Sequence, residues 1–306
     1  MKEKSNKQGI ASTYKSKDTE EFLDIYLNRP IGYIWALIFK KLGVHPNVVT
    51  ILSIILGAIA GYMFYYPDLY HTLIGIAMLM WANHYDSADG QLARMTGKKT
   101  IWGRILDGFA GDVWFFSIYF FICLRLTPQW GIWIWLLAAL SGLIFHSKQC
   151  ALADYYRNIH LFFLNGKEGS ELDNSQQQRT LYKSRPWKGN LWYKLFLFFY
   201  GNYTRSQEQM TPQCQRFFKC VQQHYGNQLP STLRNKFRQG SLPLMKYANI
   251  LTFNTRAIVL YLSLLLNIPW FYFIFELTFM NILFFYMRAR HEQLCHSLTN
   301  EIEESL

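Results

Sequence analysis

The feature that most constrains this chain is the recurrence of apolar stretches about 20 residues long, the length a helix needs to cross about 30 Å of hydrocarbon. They fall at 48–66, 70–95, 104–125, 130–156, 247–266 and 269–288. In lipid every backbone polar group must be satisfied within the protein, so uninterrupted segments of this length fold as helices. The expected fold is an all-α polytopic membrane bundle of about six transmembrane helices. Five spans with one re-entrant segment is the alternative. Pro46-Asn47 opens the first span, and Pro suits the start of a helix. Met1–Gly9 is polar and lacks an apolar core, so no signal peptide is read there.

Charge narrows the setting. The chain is 51% hydrophobic over 306 residues, yet its net charge is +11. Such an excess suits either nucleic acid or an anionic membrane leaflet, and the apolar segments favour the membrane. Aromatic residues interleave with basic ones over 187–200, but no RNA-binding signature accompanies them, so no nucleic-acid partner is expected. The loops near 64–71 and 266–270 contain no Lys or Arg, whereas the N-terminus, the 94–104 connection, the region after 156 and the C-terminus are basic. This bias places both termini in the cytoplasm, here of a bacterial inner membrane. The five cysteines are odd in number and show no C-x-x-C spacing, which argues against a disulfide framework or a zinc site.

Four regions follow. Residues 1–45 hold a polar tail and an interfacial helix over 20–43, where Phe22, Ile25, Tyr26 and Leu27 mix with charges. Residues 46–156 carry spans one to four. Residues 157–246 read as a cytoplasmic insertion. Its apolar run Leu195–Tyr200 is too short to span and suits a helix at the membrane interface, and 165–185 is expected to be a flexible loop. Residues 247–306 hold spans five and six and a C-terminal tail.

The chemistry concentrates where the second span ends. Asp86 and Asp89 are three apart and share a helix face. Ionised carboxylates at membrane depth are costly and mark function. Gly90 and Ala93 carry little side chain, which allows close approach of a ligand or helix, and Arg94 offers a charge for phosphate. Asp107 starts the next span, which a short connection makes antiparallel. Three carboxylates then meet at one depth, a donor set suited to hard divalent cations and to a two-metal site bridging a pyrophosphate.

At this point the chain resembles a known family. Asp86-x-x-Asp89-Gly90-x-x-Ala93-Arg94, then Gly103 and Asp107, looks like the signature of the CDP-alcohol phosphotransferases. Asn28-Arg29-Pro30 and Pro46-Asn47-x-Val49-Thr50 resemble that family's lead-in to its first membrane helix. The resemblance covers about 20–155 and, as topology alone, 247–290. It implies that a CDP-linked lipid donor, commonly CDP-diacylglycerol, is attacked by an acceptor alcohol with release of CMP. It implies Mg2+ or Mn2+ on Asp86, Asp89 and Asp107, and a cytidine-phosphate pocket lined by Gly90, Ala93, Arg94 and Gly103. The Asn-Arg-Pro-Ile stretch is similar to that of members handling inositol phosphates. A homodimer is also implied.

One position departs. The signature expects Asp four residues after Asp107, where this chain has Gly111, and Asp112 comes one residue late. On an ideal helix that is about 100° round. A π-bulge would restore Asp112 as metal ligand and base; altered ligation with Asp107, or a catalytically inactive protein that binds CDP-lipid, are the other readings. A metal-ion carrier would not need the glycines and Arg94 at these spacings. Arg157 and Arg256 are weaker candidates for the acceptor's phosphate or headgroup. His84, His146 and Lys148 read as structural.

Overall fold

The computed structural model describes residue 16 and residues 18–98, 100–166, 170, 172–226 and 228–304, and among them there is no strand. The helices are α1 (Arg29–Lys41), α2 (Pro46–Met63), α3 (Leu69–Thr96), α4 (Ile101–Trp130), α5 (Ile132–Ala139), α6 (Ser147–Asn165), α7 (Ser175–Ser184), α8 (Leu191–Met210), α9 (Pro212–Tyr225), α10 (Ser231–Ile250), α11 (Phe253–Leu265), α12 (Trp270–Leu277) and α13 (Phe279–Glu304). Two π-helical turns, Asp24–Asn28 and Leu140–His146, precede α1 and α6.

Among the described residues, five helical stretches are long and apolar enough to cross a membrane: Pro46–Met63, Ile105–Trp130, Ile132–Asn165, Ser231–Leu265 and Trp270–Glu304. The expected second span is the exception. At 28 residues α3 has the length, but His84, Asp86, Asp89, Gln91 and Arg94 make its last turns polar. The fifth stretch of the sequence reading also begins earlier than expected, at Ser231. The protein is a multi-pass, all-α membrane bundle.

The chain forms two compact units, one from the described residues of Met1–Ile144 with Asn254–Leu277, the other from those of Phe145–Phe253 with Thr278–Leu306. In the first unit α2 packs against both α3 and α4. Its small residues make this possible. A Cβ at Gly57 would run into the Trp114 ring, and one at Gly61 would lie 2.7 Å from the Ser117 carbonyl carbon. Close backbone approach of this kind is how membrane helices associate where no water drives them together. Two bonds lock the contact: Trp114 Nε1 donates to the Ser53 carbonyl at 3.0 Å, and Ser117 Oγ to that of Ala58 at 2.7 Å. The opposite stripe of α2 (Val48, Ile51, Leu52, Ile55, Ile59, Tyr62) is exposed and apolar, a lipid-facing surface.

Helix α1 buries Gly32, Ala36 and Phe39, three to four residues apart, against α3. Ala36 and Phe39 join Val49, Ala88 and Leu92 in one core. Gly32 sits so close that a Cβ would meet Ser87 Oγ at 2.7 Å. Elsewhere in this unit, Arg256 on α11 and Glu276 on α12 are fully buried and ion-paired.

In the second unit α6 packs on α8, α10 and α13, and α9 on α13. Phe163 stacks on Phe237 with ring centroids 4.1 Å apart. Gln149 donates to Asn281 at 2.8 Å. The stretch expected to be a flexible loop over 165–185 contains α7, whose first turn is capped by Asn174 accepting from the Gln176 amide at 2.8 Å.

Candidate metal and phosphate site

The site is assembled at the C-terminal end of α3 and the N-terminal turns of α4. Helical periodicity divides the last turns of α3 between two duties. Ala88 and Leu92 face the core shared with α1 and α2, and Gln91 donates to the Arg29 carbonyl at 3.1 Å. Asp86, Asp89, Gly90 and Ala93, at i, i+3, i+4 and i+7, form the other stripe. The turn between α3 and α4 is tight: Gly97 closes α3 in the left-handed region (φ 67°). Thr100 then caps α4, accepting from the Gly103 amide at 2.9 Å. That turn returns the chain so that Asp107 reaches the other two.

Carboxylate oxygens of Asp86, Asp89 and Asp107 all lie within 4.8 Å of one another. Asp89 is buried, Asp86 half-buried and Asp107 exposed. Ionised, each pair repels by about 3 kcal/mol at an effective dielectric of about 20. A shared divalent cation removes that repulsion, and an all-oxygen donor set is the kind Mg2+ and Mn2+ take. The residues therefore fit the metal that the donor set implies.

Cationic groups stand beside the carboxylates. Arg94 folds back over Gly90, its guanidinium nitrogens 3.5 and 3.6 Å from where a Cβ would stand. Its Nε is buried without a hydrogen-bond partner, which leaves a charged donor for a phosphate oxygen. Arg29 lies within electrostatic reach of Asp86 and Arg94, and is held by Glu20 through contacts of 2.7 and 3.1 Å. Gly103 abuts Asn47, whose Oδ1 would be 3.1 Å from an added Cβ. An apolar groove of about 430 Å³ runs along the middle of α3 up to Tyr85, lined by Leu52, Ile55, Ala77, Met78, Trp81 and Tyr85.

The structure does not bring every candidate together. Helix α4 is regular from Ile101 to Trp130, so the bulge considered for Asp112 is not formed. Asp112 is exposed and stands outside the carboxylate group. Gly108 and Gly111 face open space, with nothing within 4 Å of an added Cβ. Arg256 is engaged by Glu276, and Arg157 donates to Asn249 at 2.6 and 3.1 Å in the second unit. Sequence reasoning did not single out Thr50 as a site residue, although it donates its hydroxyl to Asp89 Oδ2. The Pro-Asn-x-Val-Thr stretch was the available signal.

Fold and site together define a multi-pass membrane protein with a carboxylate cluster and a cationic neighbour where two helices meet. Residues 43–160 match the family model described as CDP-alcohol phosphatidyltransferase. The chain is also similar to archaetidylinositol phosphate synthase of Pyrococcus horikoshii, at 35% identity over 92 residues, or 30% of this chain and 47% of that relative. The chain thus spans about half the length of the curated relative it matches. No solved structure matches it.

Proposed function

We propose that this protein transfers a substituted phosphate group from a CDP-linked lipid, with CDP-diacylglycerol as donor, to an alcohol acceptor and releases CMP. The observation that carries the reading is the convergence of Asp86, Asp89 and Asp107 inside the segment that matches the family model. Those three residues would hold Mg2+ or Mn2+. Bound cations supply charge neutralisation at a pyrophosphate.

The chain's own groups do the rest. Arg94 donates from its unpartnered Nε to a phosphate oxygen, and Gly90 and Ala93 leave room for the nucleotide against α3. Gly103 lets Asn47 approach the first turn of α4. The acceptor hydroxyl attacks the phosphorus distal to cytidine, that phosphorus–oxygen bond to CMP breaks, and the hydroxyl proton passes to a carboxylate. We assign that carboxylate to Asp107, the exposed member of the trio. Positioning of attacker and leaving group supplies much of the rate. The apolar groove beside Tyr85 suits a lipid chain of the donor. The relative named archaetidylinositol phosphate synthase supports inositol phosphate as acceptor.

Gly111 favours a second reading, a catalytically silent protein that binds CDP-lipid. One experiment separates the two: CMP release from CDP-diacylglycerol with Mg2+ or Mn2+, over a panel of acceptors that includes inositol phosphate. Release with one acceptor supports the transferase. Absence of release from folded protein whose thermal stability still rises with CDP-lipid establishes the silent binder.

A further inference from the structure

The second unit carries a feature that the transfer reaction does not use. Helices α7 and α8 form a hairpin, and the first half of α8 presents Leu191, Trp192, Phe198 and Phe199 to the outside. These positions, at i, i+1, i+7 and i+8, form one stripe. Trp192 and Phe199 are 67% and 66% exposed. The same stripe turns polar at Asn202, Arg205 and Gln209. The buried side of that second half is pinned to α6, with Gln207 donating to the Ala151 carbonyl at 2.8 Å. The apolar half, about 13 Å long, is therefore left uncovered.

Charge completes the pattern. Residues 175–200 contain Arg179, Lys183, Arg185, Lys188 and Lys194 and no acidic residue. The first four are exposed. Two described carboxylates beside the hairpin are engaged within the protein: Asp173 accepts from Tyr200 at 2.7 Å, and Glu208 from the Ser175 amide and hydroxyl at 2.9 and 2.5 Å. Lys194 is buried and braces the turn, donating to the Arg185 carbonyl at 2.8 Å with its ammonium 4.3 Å from the Tyr182 ring and 4.7 Å from that of Trp187. The hairpin is a fixed platform whose outer side is apolar and cationic.

We propose that this hairpin lies in the headgroup region of the bilayer that holds the spans, with Leu191, Trp192, Phe198 and Phe199 inserted and Arg179, Lys183, Arg185 and Lys188 bound to anionic lipid phosphates. A stripe of large apolar side chains beside a one-sign charge cluster is the pattern of an interfacial helix. Helix α8 packs on α6, which belongs to the candidate span Ile132–Asn165, so a lipid surface lies close to this stripe.

The test uses the full-length protein in nanodiscs of phosphatidylglycerol and phosphatidylcholine. A photoreactive phenylalanine analogue replaces Phe199, with Phe116, exposed on the candidate span Ile105–Trp130, as positive control and Gln209 as negative control. The expected result is a lipid adduct at 199 and at 116, and none at 209. The variant R179Q/K183Q/R185Q/K188Q lowers the adduct at 199 at least about tenfold when phosphatidylglycerol is present, since each cation near an anionic surface contributes about fivefold. Its adduct at 116 stays unchanged, which reports an intact fold. Absence of lipid adduct at 199 while 116 labels, or an adduct to another polypeptide or a second copy of this chain, overturns the proposal.

Discussion

Thr50 on α2 donates its hydroxyl to the buried carboxylate of Asp89 on α3. The bond crosses the contact between α2 and α3 and holds one oxygen of the carboxylate trio. A hydroxyl that holds a metal-ligating carboxylate orients it, and losing such a partner costs about 10–100-fold in metal affinity or activity. Thr50→Val keeps the shape and removes the donor. The expected outcome is Mn2+ binding weakened about tenfold or more, with helical content unchanged and affinity restored by Thr50→Ser. Calorimetric titration of Mn2+ measures it, and equal affinity in the Val variant would show that the bond positions nothing.

Crowding of three carboxylates within 4.8 Å predicts opposite effects with and without cation. In EDTA, Asp107→Asn relieves repulsion and raises the melting temperature by about 2–5 °C. With Mn2+ present, the same variant loses at least about half of the stabilisation that the cation gives the native chain, because stabilisation follows occupancy of the folded state. Melting curves with and without Mn2+ read both arms. A variant less stable in EDTA would contradict the repulsion.

The open space at Gly111 makes a gain-of-carboxylate variant feasible. Gly111→Asp places a fourth carboxylate one helical turn from Asp107 and meets no atom within 4 Å of its Cβ. It is expected to fold with a melting temperature within about 2 °C of the native chain and to bind Mn2+ about tenfold more tightly. Asp112→Asn should shift the Mn2+ midpoint by less than about twofold. A loss of about tenfold or more on that substitution would place Asp112 among the ligands.

Glycines on α2 and α4 should respond differently to one added methyl. Gly61→Ala forces a Cβ against the Ser117 carbonyl carbon and the Ile118 nitrogen, at 2.7 and 2.8 Å. Backbone atoms cannot give way cheaply, and a cost of about 1–3 kcal/mol is expected. Gly108→Ala enters open space and should stabilise α4 by about 0.5–1 kcal/mol through helix propensity. Denaturation in a fixed detergent compares them; similar losses at both positions would refute the steric account.

Arg256 and Glu276 offer a double-mutant test. Leaving either charge buried alone costs about 3–5 kcal/mol, whereas replacing both with apolar groups is far milder. Glu276→Leu should therefore destabilise more than the pair Arg256→Met with Glu276→Leu. Additive losses would mean that the two side chains are not coupled.

Much of this protein was legible along the chain. Apolar length fixed the all-α membrane class, because lipid offers the backbone no alternative partner. The spacing of Asp86, Asp89, Gly90, Ala93 and Asp107 marked the carboxylate cluster, since three- and four-residue steps share a helix face. Local pattern could not reveal what depends on packing between distant residues. Thr50 and Asp89 are 39 residues apart in sequence, and Arg256 became a brace only because Glu276 packs against it. The regularity of α4, which leaves Asp112 outside the trio, was equally a tertiary outcome: glycines at 108 and 111 permit a bulge but do not compel one. Sequence by itself determined which residues are costly to place in a membrane and therefore mark a site. Tertiary structure decided which of them meet, because a carboxylate's neighbours are set by the helices packed around it.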